Sequence, residues 1–252
     1  MIRTVFDEEP ENRENYGARR VYLRLAQEEY GYTGSYSTVY RVMKGNGLLK
    51  KKKRSPNGLT REDREAQKSE NLIRQDFTAE APNKKWLTDI TEIQTADGKL
   101  YISPVLDCFD GQIVGLTMDN NMKKELCVNA FAQACLRQNA HGVILHSDRG
   151  SQYTSHKFRE ILKTYGAVQS MSGTGRCYDN ARMESFFATL KKEKLYKIKT
   201  ETLPMETVES IIFRYIFIYY NRKRIYSVNE GGYPPDVKRR MYEREQQIRT
   251  AA

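Results

Sequence analysis

His146-Ser147-Asp148-Arg149-Gly150-Ser151-Gln152-Tyr153 is the stretch whose reading decides the architecture of this chain. Val143-Ile144-Leu145 leads into it as a short apolar run that reads as a buried strand, and Gly150 breaks the chain just beyond. Asp148 therefore stands at a strand's carboxyl end, where α/β sheets keep their sites. After 35 intervening residues comes Glu184, on a segment with helical apolar spacing at Met183, Phe186, Phe187 and Leu190. A second carboxylate thus sits on a helix. The third candidate is Asp89 in Trp86-Leu87-Thr88-Asp89-Ile90-Thr91-Glu92-Ile93, where strand alternation puts Leu87, Asp89, Thr91 and Ile93 on one face. Three carboxylates on three elements, with no Cys or His set to match, suit hard divalent ions.

Outward from these points the chain alternates in a regular way. Trp86 to Gln94 reads as one strand, Asp97-Gly98 as a hairpin turn, Lys99 to Phe109 as a second strand, Asp110-Gly111 as a turn and Gln112 to Met118 as a third strand. Pro104 argues against a paired position within the second strand unless a bulge is present. Lys123 to Gln138 reads as a helix, Val143 to Asp148 as strand four, Ser155 to Tyr165 as a helix capped by Ser155, Ala167 to Met171 as strand five, and Asn180 to Tyr196 as the helix carrying Glu184. Three antiparallel strands followed by strand-helix alternation is the order of an α/β, ribonuclease-H-like mixed sheet flanked by helices. Residues 172–179 form a glycine-bearing loop without Walker spacing, which reads either as a flap over the site or as a plain connector.

Ahead of this body the pattern is helical. Val21 and Leu25 with Tyr22 sit at helical spacing, Gly31 and Gly34 break the chain, and a second short helix begins with Ser37 as its expected cap. The pair suggests a helix-turn-helix whose second member, carrying Arg41 and Lys44, would enter a DNA major groove; any small helical hairpin remains the plainer alternative. Lys50-Lys51-Lys52-Lys53-Arg54 repels itself and reads as a linker able to contact phosphates without reading bases, followed by a possible charged helix from Thr60 to Gln75. The expected organisation is a flexible N-terminus over 1–15, a helix-turn-helix-like segment over 16–49, a basic and charged linker over 50–82, the catalytic core over 83–200, and a helical extension with a basic tail over 201–252. Within that extension the run 211–220 reads as a buried helix, too short and too interrupted by Arg214 to cross a membrane.

The net charge of +10 is concentrated at the two ends of the chain, +8 over residues 16–60 and +6 over 182–252, around a near-neutral middle. That distribution suits a polyanion held from two sides of a catalytic body. The four cysteines and three histidines make no zinc pattern, and with no signal peptide or membrane span the expected location is the cytoplasm.

Trp-Leu-Thr-Asp-Ile-Thr from 86, His-Ser-Asp-Arg-Gly-Ser-Gln-Tyr from 146, and Asp-Asn-Ala from 179 followed by Glu-Ser-Phe-Phe from 184 together resemble the integrase core of the IS3 family of bacterial insertion-sequence transposases, over roughly residues 80 to 235. The resemblance implies that Asp89, Asp148 and Glu184 form a DDE triad holding two Mg2+ or Mn2+ ions, Asp89 bridging both. It implies strand cleavage and strand transfer on transposon ends and a target duplex, by a homo-oligomer on DNA at the bacterial nucleoid. The family often continues past its Tyr-Asn-Arg with Pro-His; here Ile225-Tyr226 and Gly231-Gly232-Tyr233-Pro234-Pro235 stand instead, so no role is assigned to 225–235. The chain lacks a sustained heptad pattern and resembles the downstream frame alone, so an upstream-frame partner or fusion is expected. Two rival readings are a non-catalytic DNA-binding regulator and a ribonuclease-H-like nuclease that cuts without joining.

Taken singly, an acid is a solvated surface residue by roughly nine to one. Asp107, Asp110, Asp119, Glu92 and Asp179 keep that reading, and Asp89, Asp148 and Glu184 escape it jointly through order and spacing. Lys191, seven residues beyond Glu184, falls within about 20° of it on the helix and should point along the same cleft, where it could hold a DNA strand. Glu193, half a turn away, is expected to matter little.

Overall fold

The computed structural model describes residues 1–49, 69–173 and 177–251. Its first unit contains four helices, α1 (Ile2–Asp7), α2 (Pro10–Asn15), α3 (Ala18–Leu25) and α4 (Tyr36–Gly45). The first 15 residues, expected to fray, are ordered here. Pro10 starts α2 at a position where its missing N–H costs nothing, and Val5 and Phe6 pack against Tyr16, Val21, Leu25, Val39 and Met43. Helix α4 is capped by Ser35 rather than Ser37: the Ser35 hydroxyl accepts from the Thr38 amide at 3.3 Å. Past its end, Gly47 takes φ +66° and the Leu48 amide reaches back to the Met43 carbonyl at 2.8 Å, a glycine-terminated stop.

The sheet contains β1 (Lys85–Thr88), β2 (Thr91–Thr95), β3 (Gly98–Asp107), β4 (Ile113–Asp119), β5 (Ile144–Ser147) and β6 (Val168–Met171). Across the sheet the order is β4–β3–β1–β5–β6, with β2 also paired to β3. β3 is antiparallel to β1, β2 and β4, whereas β1–β5 and β5–β6 are parallel. This is the mixed sheet expected of a ribonuclease-H-like fold.

The single first strand expected over 86–94 is divided in two. Thr88 pairs with Val105 and Thr91 with Ile102, one register on both sides of a gap at Asp89-Ile90. Continuing either pairing would set Asp89 opposite Pro104, which has no N–H to give to a ladder. Pro104 is nonetheless paired with Leu116 on its other side, and the expected bulge lies one step further on, between Val105 and Leu106.

Alternation along the strands builds two cores. Trp86, Val105 and Leu145 face α5 (Lys124–Arg137), α6 (Ser151–Thr154) and α7 (His156–Thr164) through Phe131, Tyr153 and Phe158. Gly115 lets β4 press on α5, since a Cβ there would lie 2.3 Å from the Ala130 carbonyl oxygen. Leu87, Ile102 and Leu106 face the opposite layer: α8 (Ala181–Glu193), α9 (Met205–Arg214) and a π-helical continuation, Tyr215–Tyr220. The segment after 200 is therefore part of the catalytic core's packing, with Val208, Ile212, Ile216 and Tyr220 buried in it. α10 (Pro235–Ala251) completes the described chain, helical as expected.

Two further expectations change. The start of the expected linker, including Lys50 to Arg54, lies outside the described residues, but 69–82 packs on the core: Ile73 is buried in it, and the Leu72 amide donates to Ser170 Oγ at 2.9 Å. No helix covers 69–75. Asp107, Asp110 and Asp179 are buried rather than solvated. Arg239 on α10 pairs with Asp107 at 2.6 Å and Asp110 at 2.7 Å, while Asp179 accepts from Asn71, Gln75 and the Gly173 amide at 2.8–2.9 Å.

Candidate active site

Asp89 sits in the gap between β1 and β2, half-buried, where its own Oδ1 accepts from the Ile90 amide at 2.8 Å. The interruption frees this stretch from the ladder and turns the amide inward to the carboxylate. Thr88 anchors the edge of the gap by donating its hydroxyl to the Pro104 carbonyl at 2.9 Å.

Asp148 follows β5 directly and reaches the surface, and its Oδ1 accepts from the Gly150 amide at 3.0 Å. Behind it His146 is fully buried, with Nδ1 2.8 Å from Ser170 Oγ and Nε2 3.2 Å from Ser172 Oγ. Burial pushes the imidazole down to about 4, so it stays neutral at physiological pH and serves as a tie between β5 and β6. Arg149 Nε donates to the Ser172 carbonyl at 2.7 Å. Both residues tie the end of β5 to the end of β6 beside Asp148.

Glu184 lies exposed in the first turn of α8. The start of that helix is held to the sheet at two points: Asn180 Nδ2 donates to the Thr88 carbonyl at 3.2 Å, and Arg182 donates to the carbonyls of Phe77 and Cys108, both at 2.6 Å. Asn180 thus joins the strand end bearing Asp89 to the helix bearing Glu184. Its amide oxygen is buried without a partner.

Asp89 feels the charges of the other two carboxylates. The Asp89 carboxyl is pushed up to about 7, first by burial and then by the charge of Asp148, with Glu184 adding to the rise; the Ile90 amide and Lys191 pull the other way. Burial also raises Asp148, although its side chain reaches the surface. Lys191, half-buried on α8, is lowered by burial while the charges of Glu92 and, less strongly, Asp89 raise it. Among the described residues no three His, Cys, Asp or Glu side chains close into a ready-made metal shell. The donor set does fit hard divalent ions, because it is all oxygen and its charges repel until a cation enters.

Arg41 and Lys44 are exposed on α4, beside Tyr36 and Tyr40. Lys50, Lys51, Lys52, Lys53 and Arg54 lie outside the described residues, as do 174–176 of the glycine-bearing loop. Sequence reasoning missed two supports of the site, Asn180 as a brace and Asp179 as an anchor for 69–75. Both stand inside the motif around Glu184, whose length was the available signal. Glu193 was also misjudged: it is buried and paired with Arg224 and Arg20, each at 2.8 Å.

The same architecture recurs in known proteins. Residues 79–177 and 184–236 match models of the integrase core domain, and residues 2–56 match an HTH-like domain that includes α1 and α2. The transposase of insertion sequence element IS904 from Lactococcus lactis is 45% identical over 170 residues, 67% of this chain and 66% of that protein. Transposase InsF of insertion sequence IS3A from Escherichia coli strain K12 is 35% identical, over 89% of this chain and 77% of its own length. A chain of the simian T-cell lymphotropic virus intasome, solved in complex with PP2A regulatory subunit B56 gamma, shares the fold with a TM-score of 0.51 at 14% identity, covering 89% of this chain and 70% of the other. With the motifs in place on a ribonuclease-H-like sheet and relatives aligned along most of its length, the chain belongs to the IS3 family of insertion-sequence transposases.

Proposed function

We propose that this transposase cuts and joins DNA strands through Asp89, Asp148 and Glu184, which hold two divalent cations, Mg2+ or Mn2+, between them. What supports the reading is that the charges of Asp148 and Glu184, which stand on two other elements, both act on Asp89 and together with burial lift it to about 7. Asp89, Asp148 and Glu184 would together hold the ions, the charges of the latter two both acting on Asp89. When bound, such a pair makes a nucleophile of water or a 3′ hydroxyl near neutral pH and offsets the charge of the in-line transition state.

The rest is done by the protein's own groups. Asn180 and Thr88 keep Asp89 and α8 together, and neutral His146 fixes the strand behind Asp148. Lys191 offers a cation to a phosphate entering the cleft. Arg41 and Lys44 on α4 meet the major groove, and Lys50 to Arg54 neutralise phosphates without reading bases. The substrates are the ends of an insertion sequence and a target duplex. Because two ends must meet one target, several copies assemble on the DNA, with an upstream-frame product or fusion completing end recognition, in the bacterial cytoplasm at the nucleoid.

A donor duplex ending in the element's terminal repeat, a target duplex and Mg2+ test this directly. Asp89→Asn, Asp148→Asn and Glu184→Gln are each expected to drop cleavage and joining to background while end binding persists. A variant that still cuts removes its residue from the triad. Wild-type protein that cuts without joining would be a nuclease, and one that binds without cutting would be a regulator.

A further inference from the structure

Helix α8 carries Glu184 in its first turn and Glu193 at its end, nine residues and about 14 Å further along the axis. Glu193 is where the helical N-terminal unit is fastened. Its Oε1 meets Arg20 of α3 and Arg224, both at 2.8 Å; its Oε2 accepts from Arg224 Nε at 2.8 Å and from the Tyr215 hydroxyl at 2.9 Å. Asn15 Nδ2 also donates to the Glu193 carbonyl at 3.4 Å. Around this node the Tyr219 hydroxyl donates to Asn12 Oδ1 at 3.2 Å, and the buried Tyr16 hydroxyl accepts from the Ile225 amide at 2.9 Å. An outer ring of ion pairs surrounds it, Lys194 with Glu11 and Lys197 with Glu14, both at 3.1 Å, and Lys223 with Glu9. The 225–235 loop takes part too: Ile225 is buried in the helical unit's own core, and Gln27 donates to the Gly231 carbonyl at 3.2 Å.

The hydrogen bonds and ion pairs among these contacts use α2 with its flanking residues Glu9 and Tyr16, α3 and the turn after α3. None of those bonds uses α4, whose Val39 and Met43 are buried and whose Tyr36, Tyr40, Arg41 and Lys44 stay exposed. The reading helix is therefore free for DNA while the unit is docked.

We propose that Glu193 is a positioning residue that locks the helical unit to the catalytic helix, so that α4 and Glu184 form one rigid body and the place of the cut follows from their fixed spacing. This rests on the reading of α4 as the groove-entering helix and of Glu184 as a metal ligand. Binding then brings the scissile phosphate to the metals by geometry, with no separate docking step. Affinity for the end belongs to α4, and precision of the cut belongs to the node.

Spin labels at Val42→Cys on α4 and Leu136→Cys on α5, both exposed, test the docking. Cys135 and Cys177 are replaced by Ser, and Cys108 and Cys127 are buried. The expected result is one narrow distance that changes by less than about 2 Å on adding a terminal-repeat duplex. Arg20→Met, which leaves the Arg224 pair in place where Glu193→Gln would strand two arginines, should broaden that distance and spread the cut over neighbouring nucleotides, with affinity for the end unchanged. A wild-type distance that shifts on DNA binding, or an Arg20→Met protein that still cuts at one position, overturns the proposal. The distance does not depend on catalysis, so a failure of the metal-site reading shows separately, as cutting by Glu184→Gln.

Discussion

The Asp89 carboxyl is opposed by burial and by two like charges, and is helped by one backbone amide and by Lys191. Asp89→Asn keeps the shape and removes the repulsion, so the metal-free variant should melt higher than wild type, by about 2–4 °C if about 1 kcal/mol is relieved. Wild-type protein should gain in melting temperature on adding Mg2+, and the variant should not; calorimetry with and without the ion reads both. At this scale order, spacing and flanking residues select the three proposed ligands together in the sequence. It hid Asp107, Asp110 and Asp179, whose partners lie 132, 129 and 108 positions away at Arg239, Arg239 and Asn71. An acid's burial depends on such a partner, and no local pattern announces one.

Among the elements, the strands and helices from β3 to α8 other than the short α6, which periodicity did not indicate, lie within a few residues of the spans read from the sequence, because each has one apolar face and a clear breaker at its end. The division of the first strand was not visible, since it depends on Pro104 standing across the sheet from Asp89. Ser35 displaced Ser37 as the cap by two positions, a choice between two hydroxyls that spacing alone does not settle. Helix α8 allows a sharper check of face against charge. Lys191 is half-buried and feels the charges of Glu92 and Asp89, whereas Lys192 beside it is exposed. Lys191→Ala should lower cleavage and joining more than Lys192→Ala, with unfolding temperatures alike. Equal losses in a strand-cleavage assay would mean that net charge counts and position does not.

For the molecule as a whole, the two basic ends read from composition fall on different duties. Much of the second is spent internally, with Lys194, Lys197, Lys223, Arg224 and Arg239 paired to acids of the body and of α1–α2. The acidic opening of the chain was taken for a loose end because its counter-charges come so much later. Phosphate binding should therefore come mainly from the first basic segment. Replacing Lys50, Lys51, Lys52, Lys53 and Arg54 by Gln should weaken binding to all duplexes alike and flatten the dependence of log K on log salt by up to about 0.9 for each phosphate no longer neutralised; titrations on terminal and unrelated duplexes at several salt concentrations would show it, and a loss confined to one sequence would assign base reading to the run.

Arg239 follows every described strand of the sheet, yet it is the counter-charge of Asp107 at the end of β3 and of Asp110 in the turn that follows. During translation the strand ending at Asp107 emerges 132 residues ahead of it, on the order of ten seconds at bacterial elongation rates. Until then two carboxylates wait without their partner, and the nuclease fold cannot be finished. A polypeptide cut short by a nonsense codon before α10 should thus be cleared by proteases instead of competing for transposon ends, and a newly made molecule becomes able to break DNA only once α10 has left the ribosome.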